Sequence, residues 1–324
     1  MRAWQVTRLG EPTDVMELVD AARPTAGPGQ LLVRVLGVAL NFPDVLICRG
    51  QYQVKPPLPF TPGVELCGEV VTAAGGFAVG QRVVGTPAAT SGALAEYAVL
   101  DVGDALPAPE NLDDERAAAF LIGYQTAWFA LHRRARLQPG ETLLVHAAAG
   151  GVGSAAVQLG KAAGATVIGV VGGPDKAKVA SYLGVDLVVD RHQADFVAVV
   201  KEATGGRGAD VVFDPVGGAA FERSTKCVAF EGRIVVVGFA SGQIPSPAMS
   251  HALVKNYTLL GLHWGLYRKV DPAAVLAAHR ELLALAEAGV VVPLIGERVG
   301  FDRAPHGLAR LAAGETVGRV VVTP

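Results

Sequence analysis

Apolar residues in the first 120 positions come in short runs broken by glycine and proline. The runs RAWQVTR, VMELV, QLLVRVLGVAL, CGEVVTA, QRVVG and AEYAVL are separated by turn segments such as AGPG and KPPLPFTPG. That spacing predicts an antiparallel, barrel-like β domain. The period then changes. LDDERAAAFLIGYQTAWFALHRRA is acidic in its first turn and basic in its last, which predicts a helix aligned with its own dipole. From Glu141 onward strands and helices alternate. TLLVHA, TVIGVV, DLVVD, ADVVFDPV, GRIVVVGF and NYTLLGLHW read as strands; GGVGSAAVQLGKAAG, PDKAKVASYLG, DFVAVVKEATG and FERSTKCVA read as helices. Continuous β-branched strands with intervening helices indicate a parallel sheet covered on both faces. The amphipathic DPAAVLAAHRELLALAEAG and the closing GETVGRVVVTP are expected to return to the first domain. The pattern thus predicts an α/β chain in which residues 1–122 with 267–324 form a β-rich domain and residues 123–266 a doubly wound one.

Composition narrows this picture. Glycine supplies 40 of 324 residues, well above the typical share of about 7%, so close backbone approaches are to be expected. The net charge of −2 gives no electrostatic footprint for nucleic acid, and the Arg133, Arg134, Arg136 cluster reads as a solvated helix end. No apolar run reaches the length of a membrane span, and the N-terminus lacks the apolar core of a signal peptide; a cytoplasmic location is expected. Cys48, Cys67 and Cys227 are odd in number and widely spaced, which argues for reduced, buried thiols.

The chemistry starts at His146–Ala165, HAAAGGVGSAAVQLGKAAGA. Between a strand ending near Ala147 and a helix starting near Gly151, Ala148-Ala149-Gly150-Gly151-Val152-Gly153 follows the dinucleotide pattern G-x-G-x-x-G with alanine in the first slot. Small residues there permit the tight turn, the approach of backbone N–H groups to a pyrophosphate, and close packing of helix on strand. A phosphate-binding P-loop is excluded, because Gly160-Lys161 is followed by Ala162. The next strand ends in Val171, Gly172 and Gly173 where an NAD site places an acid for the ribose 2′-hydroxyl. An uncharged strand end, with Lys176 in the following helix and Arg191 after the third strand, favours a 2′-phosphate and hence NADPH over NADH. Asp175 on a ribose is the alternative. His146 ends its strand before the loop and reads as a structural histidine rather than a base.

Several segments in order, GVALNFPDVLICRGQY, LPFTPGVELCGEVV, SGALAEYAVL, VHAAAGGVGSAAVQLGKAAGA and GRIVVVGFASG, resemble the zinc-independent quinone oxidoreductases of the medium-chain dehydrogenase/reductase superfamily, the group that includes zeta-crystallin. The resemblance runs from MRAWQV to GRVVVTP. It implies a GroES-like catalytic domain beside a Rossmann domain, NADPH as cofactor, a homodimer or homotetramer, and a quinone or enone as substrate. Zinc-dependent members carry an early cysteine, a Gly-His-Glu segment and a ligand near the domain junction. Here those places read Asn41, Gly63-Val64-Glu65 and FLIGYQT; GTPAATSGALAEY lacks the four-cysteine lobe, and Cys48 and Cys67 fit no ligand slot. No metal is expected, so no Lewis acid polarises the substrate oxygen, and a conjugated acceptor that delocalises charge is the better substrate.

The resemblance further implies that Asn41, Asp44, Tyr52 and Thr126 line the nicotinamide and acceptor, with Tyr52 donating a proton or stacking, Asn41 bonding an oxygen or capping the turn before Pro43, and Asp44 orienting its neighbours. Gly150, Gly151, Val152 and Gly153 hold the pyrophosphate. Gly217, Phe239, Ala240, Leu262 and His263 follow the cofactor. Two departures stand out: Gly318-Arg319 replaces Gly-Lys, and GGPDK replaces a serine-containing phosphate end. A 2-enoyl thioester or alkenal reductase is the alternative activity. A non-catalytic, crystallin-like or RNA-binding NADPH protein is the alternative of another class.

Overall fold

The computed structural model describes residues 1–88 and 91–324. Ala89 and Thr90, inside the segment GTPAATSGALAEY, lie outside the described residues. The chain divides into two compact units, Met1–Ile122 with Leu283–Pro324, and Gly123–Leu282.

The first unit starts with β1 (Arg2–Val6), β2 (Met16–Asp20), β3 (Gln30–Leu40), β4 (Leu66–Thr72), β5 (Arg82–Gly85), β6 (Tyr97–Asp101) and β7 (Ala105–Pro107). The second contributes β8 (Thr142–His146), β9 (Thr166–Val171), β10 (Leu187–Asp190), β11 (Ala209–Asp214), β12 (Val228–Val236) and β13 (Thr258–Gly261). β14 (Ile295–Gly300) and β15 (Arg319–Thr323) complete the first unit. Its main sheet runs β14-β15-β3-β4-β5-β7, with β6 also paired to β3. The long β3 is central because QLLVRVLGVAL is apolar on both faces. Leu31, Val33, Leu40, Phe60, Leu66, Leu94, Phe301 and Val322 are buried with it in one core.

β15 lies antiparallel to β3, with Val320 opposite Leu40. That pairing brings the last residues of the chain beside Asn41.

The second unit is a single parallel sheet in the order β10-β9-β8-β11-β12-β13. Numbered by their appearance in this unit, the strands run 3-2-1-4-5-6, the doubly wound dinucleotide-fold order, with its topological switch between β8 and β11. Leu144, Ile168, Val170, Val212, Phe213 and Ile234 are buried along it, as continuous apolar strands require.

Some elements differ from the sequence pattern. VMELV begins as a short helical turn, Pro12–Val15, before β2. LDDERAAAFLIGYQTAWFALHRRA forms three pieces, Asp114–Ala118, Leu121–Trp128 and a wider-wound Phe129–Arg134. The break falls where Ala119 leaves helical geometry at φ −91°, ψ 3°, one turn before the first unit ends. The helix Pro272–Glu287 lies mostly in the second unit. Gln125 Nε2 donates to Val275 O at 3.1 Å and Trp128 Nε1 to Glu281 at 2.9 Å, and the chain rejoins the first unit at 283, later than the pattern placed it.

The helix Gly151–Ala162 lies unusually close to β8. A methyl group on Gly153 would stand 2.0 Å from Ala147 O, and one on Gly160 would stand 2.5 Å from Leu143 Cδ2. Gly153→Ala is therefore expected to force the helix off the strand and destabilise the protein by about 1–3 kcal/mol. Thermal and denaturant unfolding would check this; an unchanged melting temperature would contradict the close approach.

Candidate functional site

In a doubly wound sheet ligands bind beyond the carboxyl ends of the strands, at the switch point. In the second unit the segments following β8 through β13 all emerge at that edge. After β8, Ala147 adopts the left-handed region at φ 51°, a strained conformation for a residue with a Cβ, and Gly150 N returns to Ala147 O at 2.8 Å. Ala148 is buried, and a Cβ at Gly169 on β9 would stand 2.9 Å from its methyl group. A larger first-slot residue would not fit. Gly150 occupies the N-cap position without a side chain to cap the helix, so the N–H groups of Gly151, Val152 and Gly153 open the helix with no intrahelical acceptor. Gly150, Gly151 and Val152 are half-buried and reachable. Three amides and a helix dipole at one helix N-terminus make a candidate anion site with no reactive side chain.

At the end of β9, Gly173 takes φ 97° and caps the helix Pro174–Tyr182. A Cβ on Gly172 would stand 3.0 Å from Arg191 Cζ and Nη2 and 3.1 Å from His192 Nε2. The guanidinium and the imidazole therefore lie across bare backbone. Burial, and secondarily the nearby Arg191 charge, hold the Lys176 ammonium below its ordinary value. Asp190 ties the place together, its Oδ1 accepting from Gly173 N at 2.9 Å and His192 N at 3.0 Å. The structure thus brings Gly172, Gly173, Lys176 and Arg191 into one neighbourhood. Sequence reasoning missed Asp190 and His192, although both stand in the same VVDRHQ segment as Arg191.

Beyond β11, fully buried Asp214 accepts from Val216 N at 2.8 Å and Gly217 N at 3.0 Å. Gly217 caps the helix Gly218–Ser224 at φ 71°, and a Cβ there would stand 2.9 Å from Phe239 Cδ1. Ala240 N donates to Pro215 O at 3.0 Å and Leu262 N to Val236 O at 3.0 Å, which orders the segments after β12 and β13. His263 is exposed at the N-cap of the helix Trp264–Val270. Thr126 is buried in Leu121–Trp128. His146 is not a site residue. Its Nε2 meets Ser224 Oγ at 2.7 Å, its ring lies edge-on to Phe196, and burial pushes its imidazole down to about 4.

The first unit holds a separate polar cluster. Asn41 N donates to Asp44 Oδ2 at 2.8 Å as the helix Phe42–Cys48 begins, while Asp44 Oδ1 accepts from Gly63 N and Val64 N at 3.0 Å each. Burial pushes the Asp44 carboxyl up to about 7, against the pull of these three donors. Asn41 Nδ2 donates to Ala39 O at 3.0 Å and Glu65 Oε2 at 2.9 Å, and its Oδ1 accepts from Arg319 Nη1 at 3.0 Å. Arg319 Nη2 pairs with Glu65, and Glu65 Oε1 accepts from Ile122 N at 2.6 Å. Glu65 is completely buried and Arg319 is 5% exposed. Asn41 thus serves the turn and the ion pair with both ends of its amide, and Asp44 orients Gly63 and Val64. Tyr52 is half-buried against the unit's apolar core. Glu65 had no role in the sequence reading; Gly318-Arg319 stood out there only as a departure.

Residues 27–110 match the alcohol dehydrogenase GroES-like domain and residues 151–279 the zinc-binding dehydrogenase domain. Quinone oxidoreductase-like protein 2 of Mus musculus is 36% identical over 326 residues, covering 99% of this chain and 92% of that protein. Escherichia coli quinone oxidoreductase complexed with NADPH superposes with a TM-score of 0.91 at 28% identity, covering both chains completely. A stretch making up 69% of the chain is also 37% identical, over 228 residues, to a tenth of the phthioceranic/hydroxyphthioceranic acid synthase of Mycobacterium tuberculosis. With GroES-like and Rossmann units, the fold is that of a medium-chain dehydrogenase/reductase. The chain belongs to the quinone oxidoreductase family of that superfamily and is an oxidoreductase.

Removing one member of a buried ion pair costs about 3–5 kcal/mol, because the other charge stays desolvated. Arg319→Met should therefore destabilise the protein by that order, and Arg319→Lys by less, since an ammonium lacks the fork that reaches Asn41 and Glu65 together. Urea unfolding of both variants tests this; wild-type stability in Arg319→Met would contradict a structural role for the pair.

Proposed function

We propose that this protein is an NADPH-dependent reductase of quinones and other conjugated carbonyl acceptors that works without zinc. The observation that carries the cofactor assignment is the Arg191 guanidinium over the bare backbone of Gly172, close enough to Lys176 for its charge to act on that ammonium, in the same unit as the open amides of Gly151–Gly153. An acid that would hold a ribose 2′-hydroxyl is replaced at that strand end by glycine, and two cations suit a 2′-phosphate. The cradle fits the group, since a side chain at Gly172 would fill the place that Arg191 and His192 border. Gly150, Gly151, Val152 and Gly153 bind the pyrophosphate through backbone. Thr126, Gly173, Gly217, Phe239, Ala240, Leu262 and His263 follow the rest of the dinucleotide.

When bound, NADPH supplies a hydride. The chain's own task is then alignment and proton delivery. Tyr52 is the proposed donor to the acceptor oxygen, and Asn41 and Asp44 are positioning residues that hold the Gly63–Glu65 turn. The donor set does not suit zinc: Asn41 and Val64 stand in ligand places, Glu65 is already neutralised by Arg319, and Cys48 and Cys67 are buried apolar-side thiols pushed up to about 12 by desolvation. Zinc binding needs a deprotonated thiolate. The likeness to a segment of an acid synthase favours 2-enoyl thioester reduction as the second reading.

We further propose a cytoplasmic homodimer or homotetramer. Three buried free cysteines suit a reducing compartment, and no helix among the described residues is long and apolar enough to cross a membrane. Support for self-association comes from β13, the last strand of its sheet, and from exposed Met249, Leu253 and Val254 close to it in sequence.

Oxidation of NADPH and NADH against a simple benzoquinone, followed by absorbance, tests the reading. Turnover is expected with NADPH, and Lys176→Ala should raise the KM for NADPH roughly tenfold or more while leaving that for NADH little changed. An equal effect on both cofactors would overturn the 2′-phosphate assignment. Turnover only on 2-enoyl thioesters would select the second reading, and tight NADPH binding with no turnover on any acceptor would select a non-catalytic role.

A further inference from the structure

The end of β9 carries one more group than the cofactor reading uses. His192 Nε2 and Arg191 Nη2 each lie within 3.1 Å of the same point above Gly172. Their nitrogens are thus no more than about 6 Å apart, a gap that one phosphate bridges with two charge-assisted hydrogen bonds of about 2.8 Å. Both side chains are exposed and reachable. Their turn is fixed from below, because one oxygen of Asp190 accepts from His192 N and from Gly173 N. Arg191 and Asp190 flank this imidazole from its own turn, and in the helix Pro174–Tyr182 Asp175 and Lys178 pair with each other.

We propose that His192 is a specificity-determining residue, its Nε2 making a third contact to the 2′-phosphate of NADPH beside Arg191 and Lys176. This rests on the NADPH reading above. That contact is a hydrogen bond which only the phosphorylated cofactor can accept, so His192 contributes to the preference for NADPH rather than to dinucleotide binding in general.

Calorimetric binding of adenosine 2′,5′-bisphosphate and adenosine 5′-monophosphate to the full-length protein reads this without turnover. His192→Ala should lower the preference for the bisphosphate about fivefold, with monophosphate binding unchanged. Lys176→Ala and Arg191→Ala should lower it as well. If His192→Ala keeps the wild-type preference while the other two lose it, His192 has no such role and the NADPH reading stands. If neither Lys176→Ala nor Arg191→Ala alters the preference, the 2′-phosphate site itself is wrong and the proposal falls with it.

Discussion

Backbone contact between one helix and one strand governs the nucleotide-binding unit. With Gly153 packed onto Ala147 O and Gly160 onto Leu143, the helix Gly151–Ala162 starts directly above the end of β8. Its first amides therefore face outward at the switch point of the sheet. Any side chain at Gly153 would move that amide row away. The strained Ala147 at φ 51° is the local consequence of turning so sharply, and tight helix packing is what maintains it.

Around that row the sheet order does the rest. Because β8 lies between β9 and β11, the turns after these strands flank the helix N-terminus on either side. Aspartates organise both flanks through one oxygen each: Asp190 gathers the Gly173 and His192 amides, and Asp214 those of Val216 and Gly217.

The first unit follows a different logic. Its polar cluster is buried, and its members satisfy one another. Arg319 crosses from the last strand to Asn41 and Glu65, so residues at opposite ends of the sequence lock together. Desolvation makes such a pair intolerant of losing either partner more than it makes it a large source of stability.

Much of this was legible in the sequence. Strand and helix periods gave the order of the parallel sheet, TVIGVV matching β9 at both ends, although β12 begins at Val228, inside the predicted helix FERSTKCVA; glycine spacing located the tight turn between β8 and its helix. What escaped depended on tertiary contact. The split of the long helix near Ala119 is invisible in a run of good helix formers. Glu65 and Arg319 become a pair only through the β3–β15 pairing, and Asp190 looks like an ordinary strand-end acid until two amides are seen to meet on it. Hydrogen exchange with and without NADPH would test the central claim most directly. The account predicts slowed exchange at the amides of Gly151–Ser154 and of Gly172, Gly173 and Lys176 when NADPH is bound. Bound NADPH that left both segments exchanging at their free rates would contradict it.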